Sequence, residues 1–200
     1  MFIRRENFKQ YVTLYPVITT LLAINIIVYF LTLLPEIGDE IVWRGISYNL
    51  LITHGEWWRL VTSLFLHGGF THILFNMFSL FVFGPELERM LGKGRFLLVY
   101  FVAGIAGNVI TYFIQDWQYA SLGASGAIYG IFGVFGALVY LKRNSLPQLK
   151  QVILPMIIVG VIMTFISSNI NITAHLGGLG TGFVLGLYFF RSNKGHLNGL

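Results

Sequence analysis

Residues 123–142 read Gly-Ala-Ser-Gly-Ala-Ile-Tyr-Gly-Ile-Phe-Gly-Val-Phe-Gly-Ala-Leu-Val-Tyr-Leu-Lys, an apolar run of membrane-spanning length with Ser125 near its start and Lys142 at its end. A second such run opens at His175 and closes at Arg191. If both are helices rising about 1.5 Å per residue, Ser125 lies about 25 Å from its basic end and His175 about 24 Å from its own. A hydroxyl and an imidazole can therefore meet at one depth inside a bundle.

The rest of the chain fits that frame. Of its 200 residues 56% are hydrophobic and only 10% charged, and the mean hydropathy is +0.73, a balance that belongs to a polytopic membrane protein. Twenty-three glycines favour close helix packing. The absence of cysteine excludes disulfides, thiolate metal sites and a cysteine nucleophile. The net charge of +5 does not imply a nucleic-acid partner, because the basic residues are scattered through short loops and form no stripe.

Apolar stretches fall at about residues 17–34, 71–87, 96–114, 125–141, 152–168 and 174–190, which predicts an all-α bundle of six transmembrane helices in a single domain over 1–200. The first, although preceded by Arg4, Arg5 and Lys9, is followed by no small-residue cleavage site and reads as a retained span. An even number of spans puts both termini on one side. Arg4, Arg5, Lys9, Arg89, Lys93, Arg95, Lys142, Arg143, Lys150, Arg191 and Lys194 fall on that side, against Arg44 and Arg59 on the other, so both termini are expected in the cytoplasm. The one long connection, from Pro35 to about Phe70, carries Trp43, Trp57 and Trp58. It is expected to lie partly in the lipid interface, either as an outer segment or as an ordinary aromatic belt.

Ionisable groups inside spans are few, and each is a functional hypothesis. The second span opens His67-Gly68-Gly69-Phe70-Thr71-His72 and reaches Asn76; the fourth opens at Ser125 and carries Tyr129; the sixth opens at His175. Counted from Arg89, His72 lies about 25 Å and Asn76 about 20 Å from the inner edge. His72 and Asn76, and likewise Ser125 and Tyr129, are four residues apart and share a helix face. Taken singly, each has a plain structural reading. A serine between glycines is a cap or a packing contact, Gly126, Gly130, Gly178, Gly182 and Gly186 are spaced for close helix approach, and a lone buried His is a core residue as often as a reactive one. His67 is expected to brace the outer loop, while His54 and His196 are expected in solvent. The coincidence of depth is what points to chemistry.

A serine hydroxyl attacks only when a base in reach takes its proton, and histidine suits that task near neutral pH. No Asp or Glu lies at the depth of Ser125, since Glu86 and Glu88 fall at the inner end of the second span. The expectation is therefore a Ser125–His175 dyad without a carboxylate, with His175 oriented by packing and Tyr129 as its stacking partner. His72, Asn76 and the Ser125 amide are donors of the kind that stabilise an oxyanion.

These residues resemble the rhomboid family of intramembrane serine proteases. His67-x4-His72-x3-Asn76, Gly123-x-Ser125-Gly126 and Ala174-His175-x2-Gly178 match the family's motifs in order and in the correct spans, and Trp58-Arg59 looks like the Trp-Arg pair of its first outer loop. The resemblance covers nearly the whole chain. It implies Ser125 as nucleophile, His175 as general base, His72, Asn76 and the Ser125 amide as oxyanion site, and Tyr129 packed on His175, with Gly123, Gly126 and His67 in support. It also implies cleavage in or next to the transmembrane helices of single-span substrates, without cofactor or metal, in a cell membrane that a compact chain suggests is a bacterial plasma membrane. The fifth span and the loop from Ser167 to Thr173 would correspond to the family's gate and cap.

Two other classes are weighed against this. A transporter or channel could use His72, Asn76 and His175 as a proton or metal path, but no intramembrane carboxylate or inverted repeat supports it. A metalloprotease would need His-Glu-x-x-His, and an α/β-hydrolase elbow would need Gly at position 127, which is Ala.

Overall fold

A computed structural model describes residues 4–142, 147–166 and 170–192. Arg143, Lys194, His196 and the first part of the expected cap, Ser167 to Asn169, lie outside the described residues. The chain runs through helices α1 (Phe8–Leu14), α2 (Pro16–Thr32) and α3 (Ile37–Gly45), strand β1 (Ser47–Tyr48), and helices α4 (Asn49–Thr53), α5 (Arg59–Thr62), α6 (Phe70–Leu91) and α7 (Lys93–Ile114). Strand β2 (Ala120–Ser121) and helices α8 (Ser125–Lys142), α9 (Pro147–Ile166) and α10 (Ile172–Ser192) complete it.

Helices α6, α7, α8 and α10 are each long and apolar enough to cross a bilayer. Helices α1 and α2 meet at 109° and pass that test only together, and α9 contains a shorter apolar run, Lys150–Phe165. The chain is thus a helical membrane protein with four or five candidate spans. Helix α8 is its axis, with 72% of its span buried against 33–44% for the other three. Aromatic edges from α6 close on it, where Phe83 meets Phe132 at 5.1 Å.

Helix limits differ from the sequence expectation where polar residues sit inside the structure. Helix α6 continues four residues past 87 to Leu91 because Glu86 and Glu88 are buried and partnered. Glu88 accepts from Val17 N (3.2 Å) and Ile18 N (2.9 Å), which caps the start of α2 with a carboxylate where the helix dipole favours one. Glu86 pairs with Arg4 and, at 2.9 Å, with Arg89. Pro16 sits in the first turn of α2, where its missing N–H costs nothing, so the short α1 ends there instead of continuing as one rod.

The segment from α3 to α5 is a packed layer of short helices. Arg59 is only 2% exposed. Its guanidinium donates to Trp43 O (2.6 Å), Ile46 O (2.9 Å) and Glu56 (2.7 Å), tying three turns together. Trp43, Trp57 and Trp58 remain more than half exposed, as an aromatic belt requires. Strands β1 and β2 pair antiparallel, Ser47 opposite Ser121, a short ladder between two connecting segments that hydropathy does not signal.

Candidate active site

The contact between α8 and α10 sets the site. A Cβ on Gly178 would run into the Gly126 carbonyl, one on Gly182 into the Gly130 carbonyl, and one on Gly186 would lie 2.8 Å from Ala137 Cβ. The register rises on both helices together, so they run parallel and touch backbone to backbone. Ser125 precedes Gly126 by one residue and His175 precedes Gly178 by three, which leaves them within about 3 Å of one level on helical rise. Among the described residues no hydrogen bond joins Ser125 Oγ to the His175 ring, which bonds elsewhere. Nucleophile–base contacts of this kind are commonly loose until substrate binds.

His175 is 6% exposed and lies flat on Tyr129, with ring centroids 4.0 Å apart and planes at 19°. Its Nδ1 is 2.9 Å from Thr164 Oγ1 on α9. Thr164 is fully buried, 2.9 Å from Gly160 O and 2.7 Å from Tyr129 OH, which in turn donates to Gly160 O at 2.6 Å. Packing alone was expected to orient His175; a hydrogen bond from α9 does so as well. Nothing in the sequence sets Thr164 apart, because a threonine within an apolar helix ordinarily bonds its own i−4 carbonyl.

On the other side of Ser125 stands His72. Gly123 has φ +129°, a backbone that disfavours any side chain, and a Cβ there would lie 2.7 Å from His72 Nε2 and 3.7 Å from Ser125 Oγ. Both polar atoms thus face the same small space beside the Gly123 backbone. Gly68 N donates to His72 Nδ1 at 3.4 Å, so in the neutral ring the proton sits on Nε2, toward Ser125. Asn76 is 6% exposed and uses one Nδ2 proton on His72 O (3.0 Å), with a second still to donate. His67, expected at the headgroup level as a brace, is 4% exposed with its ring against His72 at 5.1 Å. Burial, with the neighbouring His72 adding to it, pushes the His67 imidazole down to about 4. His54, as expected, is exposed.

Three polar anchors hold the segment that carries Gly123 and Ser125. Gly123 N donates to Ser63 O at 2.9 Å. Asn108, buried on α7, donates to Leu60 O (2.8 Å) and Ser63 Oγ (3.0 Å). Asn171 donates to Ser121 Oγ (3.0 Å), while its Oδ1 caps α10 through Ala174 N (2.9 Å) and accepts from Thr111 and Thr173. Strand β2, just ahead of α8, and the start of α10 are therefore tied through one amide side chain. Sequence reading passed over Asn108 and Asn171 because nothing local shows which distant groups each one bonds.

Comparison with known proteins settles the class. The Rhomboid domain model matches residues 54–192, more than half of the chain. The chain belongs to the rhomboid family. It is 48% identical over 188 residues to "Putative rhomboid protease YdcA" of Bacillus subtilis strain 168, covering 92% of this chain and 94% of that protein. It is 40% identical over 172 residues to "Rhomboid protease GluP" of the same organism, covering 81% of this chain but 32% of that protein. It is also 36% identical over 140 residues to "Rhomboid-type serine protease 2" of Emericella nidulans, covering 68% of this chain and 28% of that protein. This rhomboid is an integral multi-pass membrane protein and an intramembrane serine protease, acting on membrane proteins within the bilayer. The transporter reading gains nothing from these comparisons.

Proposed function

We propose that Ser125 is the nucleophile and His175 the general base of this rhomboid, and that it hydrolyses peptide bonds in or next to the transmembrane helix of single-span membrane proteins. The observation that carries this reading is the parallel α8–α10 seam, which brings the starts of both helices to one level with the imidazole stacked on Tyr129. Ser125 Oγ attacks the scissile carbonyl as His175 Nε2 takes its proton. The oxyanion that forms accepts hydrogen bonds from His72 Nε2, Asn76 Nδ2 and the Ser125 amide, each such donor lowering the barrier by about 3 kcal/mol. The protonated His175 then passes its proton to the leaving amine as the C–N bond breaks, and water, activated by the same imidazole, hydrolyses the acyl-enzyme to free the acid and restore Ser125. Gly123, Gly126 and His67 serve by shaping the space around these groups. No metal, cofactor or nucleic acid takes part. A substrate helix must unwind before attack because its peptide bonds are internally paired, so helix-breaking residues favour cleavage.

The same proposal extends to topology. Helices α2 and α9 complete a six-span, single-domain bundle over residues 1–200 with both termini in the cytoplasm of a bacterial plasma membrane. The distribution of basic residues and the Bacillus relatives support that reading.

The test is labelling of the detergent-solubilised protein with a fluorophosphonate, followed by mapping of the modified residue. The expected result is modification at Ser125, lost in His175→Ala. A Ser125→Ala variant that still cleaves a single-span substrate at the wild-type rate would refute the assignment.

A further inference from the structure

The geometry points to Thr164 as a positioning residue that holds His175 in the tautomer with the proton on Nδ1, in the place that a carboxylate fills in a triad. This rests on the reading of His175 as the general base. It follows from counting protons. Four close contacts join His175 Nδ1, Thr164 Oγ1, Tyr129 OH and Gly160 O: 2.9 Å from the ring to Thr164, 2.7 Å between the two hydroxyls, and 2.9 and 2.6 Å from Thr164 and Tyr129 to the carbonyl. The carbonyl can only accept, and each hydroxyl supplies one proton. If Nδ1 carries the ring proton, three protons serve the four contacts. If Nε2 carries it, Thr164 must donate to Nδ1, two protons serve four contacts, and two pairs of acceptor atoms face each other at close range. Around the fully buried Thr164 hydroxyl, with Tyr129 and His175 also buried, the second arrangement is the costlier.

The consequence falls on the chemistry. A ring protonated at Nδ1 presents the lone pair of Nε2, the form a general base needs. A neutral hydroxyl does this without an ionised group in the membrane, where a carboxylate would carry a desolvation cost. Tyr129 acts twice, since its ring face orients the imidazole and its hydroxyl fills the last position around Thr164.

Thr164→Val keeps the shape and removes the hydroxyl. The expected result is a fall in kcat of about tenfold or more with KM changed less than about twofold, and recovery of most of the turnover in Thr164→Ser. Equal kcat in wild type and Thr164→Val, or no recovery in Thr164→Ser, would overturn the inference. Imidazole ¹⁵N resonances of the wild-type protein, with His175 identified through His175→Gln, give a second readout that needs no folded Thr164 variant. Protonation at Nδ1 is expected, and protonation at Nε2 alone would overturn it. Fluorophosphonate labelling of wild type separates the two readings. If Ser125 is labelled in a His175-dependent way and Thr164→Val is fully active, only the role of Thr164 falls; if Ser125 is not labelled, the dyad itself falls.

Discussion

Substituting Gly178 by Ala adds a single methyl group where α8 and α10 touch. That Cβ would stand 2.9 Å from the Gly126 carbonyl carbon and 3.3 Å from its Cα, with the carbonyl oxygen closer still. All three atoms are backbone, so no side chain can swing aside and the helices must separate by about 1.5 Å to restore ordinary contact. Overpacking of this kind costs about 1–3 kcal/mol. Separation acts directly on the starts of both helices, and a misplacement of about 1 Å between reacting groups costs about 100-fold in rate. Gly180→Ala is the internal control, because a Cβ there meets nothing within 4 Å on the same helix. Turnover of a single-span substrate in detergent, with thermal unfolding of both variants in parallel, is the assay. A kcat for Gly178→Ala equal to wild type, or an equal loss in Gly180→Ala, would refute the argument that this seam sets the geometry of the site.

Other outcomes follow from the same contacts. Gly123→Ala is expected to lower kcat by tenfold or more, measured as turnover at saturating substrate, since the new Cβ would lie 2.7 Å from His72 Nε2 on a backbone at φ +129°. Arg59→Met should destabilise the fold by about 2–3 kcal/mol, read as a lower unfolding temperature, because the carbonyls of Trp43 and Ile46 lose their buried donor and Glu56 its partner. His67 titrates near 4 in the fold against 6.5 when free. Its contribution to stability is complete above about 6.5, falls as pH drops because only the unfolded chain takes up the proton, and levels off below about 4. Unfolding measured from pH 7 to 4 should therefore be less pH-dependent in His67→Gln than in wild type.

Much of the candidate site could be proposed from sequence because hydropathy and helical rise are local properties. The depth of Ser125 and His175 follows from counting residues to the nearest basic end, and the glycines at 126, 130, 178, 182 and 186 already carried the spacing for a close seam. Thr164 was not legible. Its i−4 bond to Gly160 makes it look self-satisfied, and only the fold shows that the same hydroxyl also reaches His175. The anchors Asn108 and Asn171 were missed for a related reason, since their partners, Leu60, Ser63 and Ser121, lie 45 to 50 residues away in sequence. The burial of His67 against the ring of His72 was not legible either, because the turn before α6 that brings the two rings together is a tertiary contact. The partners of the two carboxylates near the end of α6 were equally hidden, since one caps α2 and the other holds Arg4 and Arg89.

By itself, then, the sequence determined that this is a helical membrane protein and which few polar side chains share a level inside it. Both follow from the cost of leaving polar groups in hydrocarbon, which a linear count of residues can register. The tertiary structure decided which of those groups face one another: that His72 Nε2 looks across Gly123 toward Ser125, that Tyr129 lies flat on His175, and that a hydroxyl on α9 supplies the hydrogen bond a carboxylate would otherwise give. The direction of a hydrogen bond depends on where two helices distant in sequence come to rest, and that is fixed by backbone contact at the glycines, one ångström at a time.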